Sequence, residues 1–173
     1  RIPYQKFICK LESFRVVAYF LNDENYEEFW LEIYQLIRKW IKDENSPVVV
    51  ARNIFFMLEQ TYLRIPQDHL MIIICECIIN KKSRYYDKLF RLIAYGVDLN
   101  TASSELVGRL LGLIIKIVKN PTEREQITTL EMALITLRKK FKNLTEELDE
   151  VISIEMPNFY NDTYLLETTE NEN

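Results

Sequence analysis

Hydrophobic positions recur at helical spacing along almost the whole chain, and no segment shows sustained apolar–polar alternation. The pattern predicts helix after helix with short connections. In the first segment Phe7, Leu11, Phe14, Ala18 and Leu21 fall on one stripe, which the polar run 22–25 interrupts. Asn25 with Glu28 resembles a capping box, the amide oxygen accepting from the first turn and the carboxylate reaching back. Phe29, Ile33, Leu36, Ile37, Trp40 and Ile41 then follow at helical spacing. Ser46-Pro47 predicts a helix start, with serine as cap and proline in the first turn; the third helix runs through Ile54, Met57, Leu58 and Tyr62 to about residue 64. Pro66 restarts the chain, and a fourth helix is expected over about 67–80. Ser83 opens a fifth, with Tyr86, Leu89, Phe90 and Ile93 inward and Gly96 just past its end. Thr101 or Ser103 caps a sixth through Val118. Asn120-Pro121, or Thr122 with Glu125, caps a seventh whose stripe is Ile127, Leu130, Leu134, Leu137 and Phe141. A short eighth over 145–153 carries Leu148, Val151 and Ile152.

This order predicts an all-α fold. Helix pairs begin near Lys6, Pro47, Arg84 and Thr122, at intervals of 41, 37 and 38 residues. Such intervals suit two- or three-helix solenoid repeats. A pair cannot bury its apolar face alone and stacks on its neighbour. Helices four and six are apolar almost all round, as helices inside a stack are. In period, helix pattern and the Ser46-Pro47 and Asn120-Pro121 starts, residues 6–153 resemble HEAT or armadillo repeats. That resemblance implies antiparallel helix pairs stacked as a right-handed α-α superhelix, a scaffold that binds protein segments or nucleic acid along a concave face. The alternative is a compact bundle of seven or eight helices. The chain divides into a helical domain, 1–154, and an acidic C-terminal tail, 155–173.

Composition narrows the class. Of the 173 residues, 48% are hydrophobic and 28% charged, globular values that exclude a disordered chain. Three glycines and five prolines argue against a barrel or sandwich of many short strands. A chain of this length buries enough surface to fold without disulfides or a metal. Cys9, Cys75 and Cys77 are odd in number and not spaced as a secreted framework, so free thiols, buried or partly buried, are expected. The longest apolar run, 70–79, is ten residues and contains Glu76, whereas a spanning helix needs ~20. The chain opens Arg1-Ile2-Pro3 with no methionine and no signal-peptide pattern, so a fragment or processed product is expected. The glycosylation patterns at Asn143 and Asn161 read as chance matches, and an intracellular location, nucleus or cytoplasm, is expected.

Catalytic chemistry finds little support. His69 is the sole histidine; with Ile72, Glu76 and Asn80 it forms one narrow stripe, read as a thin solvent strip on a buried helix. No phosphate loop or multi-histidine metal set is present, so no enzyme, cofactor or metal is expected. Gly108 and Gly112 are spaced to let a neighbouring helix approach closely. Charge is more informative. The net charge of −4 hides a division: no lysine or arginine follows Lys142, and nine of the 26 acids lie in 143–173. The remaining 17 acids face 22 bases, a net +5 over 1–142. In a two-helix solenoid, clusters near the ends of even-numbered helices align into a basic surface; the helix dipole also favours bases at C-termini without any such role.

The expected function is therefore a non-catalytic scaffold binding a peptide or helix of another protein chain, in a hetero-complex or homodimer and without a membrane. The alternatives are a nucleic-acid-binding helical domain using the basic clusters and a compact regulator of viral or cell-death type. Candidate partner-binding residues are Arg38, Lys39, Lys42, Lys81, Lys82, Arg84, Lys88, Arg109, Lys116 and Lys119, with Phe55 and Phe56 from a third helix that is apolar around much of its circumference. The tail carries Tyr160, Tyr164, Leu165 and Leu166 as docking anchors.

Overall fold

The computed structural model describes residues 4–96 and 101–159, and every regular element in them is helical. The order is α1 (Tyr4–Val17), α2 (Asp23–Ile41), α3 (Val48–Thr61), α4 (Gln67–Ile79), α5 (Tyr86–Arg91), α6 (Ser104–Val118), α7 (Pro121–Glu125), α8 (Leu130–Lys140) and α9 (Glu146–Glu155). Short 3-10 turns, Tyr62–Arg64 and Ser83–Tyr85, precede α4 and α5, and a wide π turn, Leu92–Gly96, continues α5.

Several starts follow local chemistry. Ser103 caps α6, its hydroxyl accepting from Leu106 N–H, and Asn120 caps α7 ahead of Pro121. Three expectations shift. The cap of α2 is Asn22, whose side chain accepts from the Asn25 N–H, so Asn25 lies inside the helix rather than capping it. Pro47, not Ser46, occupies the cap position of α3, and no side chain bonds there. The seventh segment splits: α7 ends at Glu125, and the stripe from Leu130 onward belongs to a separate helix, α8. The split is fixed from outside. The Asp87 carboxylate accepts from the N–H of both Thr128 and Thr129, holding the turn between α7 and α8.

The helices stack as two rows. α1 packs on α3, and α5 with its π turn packs on α8. Tyr85, on the turn before α5, meets Phe55 of α3 and joins these into one row. α2 packs on α4, α4 on α6, and α6 on α9, forming the second row. Neighbours within a row are parallel. Trp30 meets His69 and, two turns later, Arg38 meets Glu76, so α2 and α4 run together. Asp68 at the start of α4 accepts from the Ser103 N–H at the start of α6. The fold is thus all-helical, with helix pairs packed against one another as in a bundle or superhelix, and several of its long-range polar contacts span similar separations. Tyr19 reaches Gln60, Arg38 reaches Glu76, Asp87 reaches Thr128 and Thr136 reaches Ala94, separations of 41, 38, 41 and 42 residues. Each bond joins one pair to the next.

The core runs continuously between the rows and includes both tryptophans, with Trp30 and Trp40 fully enclosed. Burying each such side chain contributes on the order of 1.5–3 kcal/mol. α4 is buried on nearly every side, as its composition predicts. α6 is not: Glu105, Gly108, Arg109, Gly112, Lys116 and Lys119 form an exposed stripe. A Cβ built on Gly108 or Gly112 meets nothing within 4 Å, so no helix among the described residues uses that spacing for close approach. Cys75 and Cys77 are buried, and burial pushes their thiols up to about 11 and about 12. Cys9 is exposed on α1, which departs from the expectation that all three thiols are covered. Beyond α9, Phe159 is still packed into the core. The tail anchors Tyr160, Tyr164, Leu165 and Leu166 lie outside the described residues.

α4 ends in a Schellman cap: Lys82 N–H bonds Cys77 O at 3.0 Å, and Lys81 N–H bonds Ile78 O at 3.1 Å. That motif puts Lys81 at φ 57°, the left-handed region that glycine enters freely. Replacing Lys81→Gly is expected to stabilise the fold by roughly 1 kcal/mol through relief of that strain. Urea unfolding measures it; an unchanged or lower midpoint would show that the lysine side chain compensates its own strain.

Candidate interaction surfaces

Parallel stacking within the second row brings the C-termini of α2, α4 and α6 to one edge. Lys39 and Lys42 end α2, Lys81 and Arg84 follow α4, and Lys116 and Lys119 end α6, all exposed. None of these six makes an ion pair among the described residues. Glu44 and Glu125 are the exposed acids close to them in sequence. The opposite edge collects the N-termini, with Asp23 and Glu24 on α2, Asp68 on α4, Glu105 on α6 and Glu146, Glu147 and Asp149 on α9. The helix dipole explains the sign at each end. The stacking explains why like ends meet.

Not every candidate cation belongs to the lysine edge. Arg38 is committed to Glu76, with Nη2–Oε1 at 2.6 Å and Nε–Oε2 at 3.2 Å. That bidentate pair raises its pKa above the ordinary arginine value. Lys82 donates to the Asp43 carbonyl at 2.7 Å and lies 5.0 Å from the centre of the Trp40 ring. Both tie one helix pair to the next, so neither is a free contact point. Arg109 is exposed in the middle of α6, and Lys88 is exposed on the short α5, outside the second row. Phe55 leaves the candidate list: it is 3% exposed and wedged between Trp40 and Tyr85. Phe56 is half exposed, with the Arg15 guanidinium 4.6 Å above its ring.

The pattern of the chain did not reveal a second surface. On the first row, Phe20, Leu63, Tyr95 and Val16 are 86%, 73%, 64% and 61% exposed. Tyr19 donates to the Gln60 carbonyl at 2.9 Å and so fastens the end of α1 to the end of α3. Beside that contact Glu59, Gln60, Tyr62, Arg91, Leu92 and Tyr95 line a hollow of about 290 Å³ between α3 and α5. The exposed aromatics thus gather around the ends of α1, α3 and α5. Their periodicity gave no signal, because they fall off the buried stripe or in the turns that follow helices.

Arg64 was equally hidden. Its guanidinium donates to the carbonyls of Ala18 and Leu21, meets Asp23 at 3.2 Å and sits 4.3 Å from the Tyr26 ring centre, while Tyr26 O–H donates to the Arg64 carbonyl. One side chain therefore satisfies the turn between α1 and α2 from the following pair.

The His69–Glu76 stripe is used internally. Trp30 Nε1–H donates to His69 Nδ1 at 2.9 Å, and the imidazole stacks on Tyr34 with centroids 4.2 Å apart. Among the described residues no group of three or more His, Cys, Asp or Glu is placed to hold a metal ion. No helix among them is long and apolar enough to cross a membrane. Comparison with known protein families, curated proteins and solved structures finds no match to this chain.

Burial lowers the His69 pKa below the ordinary 6.5; the Asp68 carboxylate partly offsets this, and Arg38 adds to the lowering. The folded state favours neutral imidazole, which accepts from Trp30. Stability is therefore full above pH 6.5 and falls as pH drops through that value toward the lower folded pKa. Denaturation midpoints at pH 7.5 and pH 5.5 check this. The wild type is expected to lose stability between them and His69→Gln to lose less; equal losses would remove His69 as the source.

Proposed function

We propose that this chain is a non-catalytic helical-repeat scaffold of HEAT or armadillo type that binds a segment of a partner protein. The observation that carries the reading is the exposed apolar set on the first row: Val16, Tyr19, Phe20, Leu63 and Tyr95 around the ends of three stacked helices. Large apolar side chains clustered on a surface mark places where another chain docks. Arg15 and Arg52 lie on the same helices, Arg91 is paired with Glu59 at 3.9 Å and Glu12 is the other neighbouring acid, so an apolar segment bearing carboxylates suits the surface. The partner chemistry is a peptide or helix with spaced aromatic or aliphatic anchors. Free cysteines fit an intracellular setting, nucleus or cytoplasm.

The test is selection of peptides from a displayed library on the full chain, followed by affinity measurement on Phe20→Ser/Leu63→Ser. Both residues are exposed, so the thermal midpoint is expected to hold within the effect of ordinary surface changes. Selected peptides are expected to bind the variant about tenfold or more weakly, roughly 1.4 kcal/mol. Equal binding, or no enrichment of apolar anchors, would refute the reading.

A second reading rests on the lysine edge, whose six exposed cations suit a phosphate backbone. Oligonucleotide binding at 50 and 200 mM salt decides it. Neutralising several phosphates costs orders of magnitude in affinity over that range, and flat, weak binding would remove nucleic acid from consideration.

A further inference from the structure

The lysine edge and the C-terminal end of α9 meet. α9 runs parallel to α6, and Arg124 joins their ends: it donates to the Val118 carbonyl at 2.6 Å and lies 3.6 Å from the Glu155 carboxylate. Phe159, four residues later, is buried against the body. The described chain thus ends four residues past the Glu155 contact at the C-terminal end of α6, where Lys116 and Lys119 are exposed and make no ion pair among the described residues. From Lys119 back to Gly108 the outer stripe of α6 carries three cations, Lys119, Lys116 and Arg109, and no acid. The acids at that end are Glu123 and Glu125 of α7 and Glu155 of α9, the last held by Arg124, so the attraction is strongest toward Lys116 and Arg109. α4 and α9 flank α6, and each presents an exposed isoleucine near its own C-terminus, Ile79 and Ile154.

The sequence supplies a complement. Residues 160–173 contain Asp162, Glu167, Glu170 and Glu172, no base, and the anchors Tyr160, Tyr164, Leu165 and Leu166. We propose that residues 160–173 dock in cis on the outer face of α6, carboxylates toward Lys116, Lys119 and Arg109 and apolar anchors toward Ile79 and Ile154.

Reach permits it: fourteen extended residues span up to ~46 Å, and the stripe from Lys119 to Gly108 is about 17 Å long. At 0.15 M salt, charge attraction fades within about 8 Å, so the carboxylates orient the segment and the apolar anchors hold it. A tethered segment sits at millimolar effective concentration, an advantage over any free acidic ligand of similar affinity. The docked segment covers part of the lysine edge and competes with anionic partners there. This surface is distinct from the aromatic face, so the two proposals stand or fall separately.

Amide hydrogen exchange of residues 160–173 in the full chain tests it. Exchange is expected to be about tenfold or more slower than random coil at 0.15 M salt. Protection is expected to vanish in Lys116→Glu/Lys119→Glu and in Tyr164→Ala/Leu165→Ala, and to survive both Arg52→Glu on α3 and tenfold dilution. Both lysines are exposed, so the charge reversal leaves the core untouched. Coil-rate exchange in the wild type overturns the proposal. Protection that survives the lysine reversal places the segment elsewhere and also overturns it. Protection lost on dilution assigns the contact to a second copy and overturns docking in cis.

Discussion

α4 is apolar around nearly its whole circumference. Leu70, Met71, Ile73, Ile74, Cys75, Cys77 and Ile78 are all buried, leaving a strip at His69, Ile72 and Glu76 that is itself only partly open. No single partner helix covers so wide a surface. α4 must have a helix on each side in its own row and a second row against its face, and α2, α6 and the core between the rows meet that demand. Once α2 and α6 flank α4, the pairs that carry them are drawn into register, and the rest of the stack follows.

Stacking pairs also brings turns together, and turns expose backbone carbonyls that water no longer fully serves. A side chain from the next pair meets this need at three places. Arg64 takes the carbonyls of Ala18 and Leu21, Lys82 takes that of Asp43, and Thr136 takes that of Ala94 beside the π turn. Asp87 and Asp68 do the converse, accepting from backbone N–H groups of Thr128, Thr129 and Ser103. These contacts specify register in a way that apolar contact between smooth helix faces does not.

The two surfaces arise from the same arrangement. Parallel helices in one row align their dipoles, which places like partial charges side by side; acids at the shared N-terminal edge and lysines at the shared C-terminal edge offset this, each by roughly 0.3–1 kcal/mol. α9 breaks the pattern, with no base in its last turn and Glu155 at its end, held by Arg124. The lysine edge thus stops where the acidic segment of the chain begins. The apolar face on the other row has no comparable stabilising role, since Phe20, Leu63 and Tyr95 remain largely open to water.

The all-α class and most helix positions were legible along the chain, because burying one face of a helix imposes a 3.6-residue rhythm that survives in any single segment. The cap at Ser103 and the Asn120-Pro121 start were legible for the same local reason. Register and surface were not. Whether Arg38 and Lys82 serve a partner or the next helix pair depends on where Glu76 and Asp43 arrive in space, and nothing near them in the sequence carries that information. Phe55 and Phe56 are adjacent and chemically alike, yet a 100° turn of the helix buries one against Trp40 and leaves the other half open. The division of the seventh segment was set by Asp87, about forty residues earlier, reaching across to Thr128 and Thr129. Local periodicity determines that a helix forms and which face seeks cover; only the packed neighbour decides what covers it and what is left exposed.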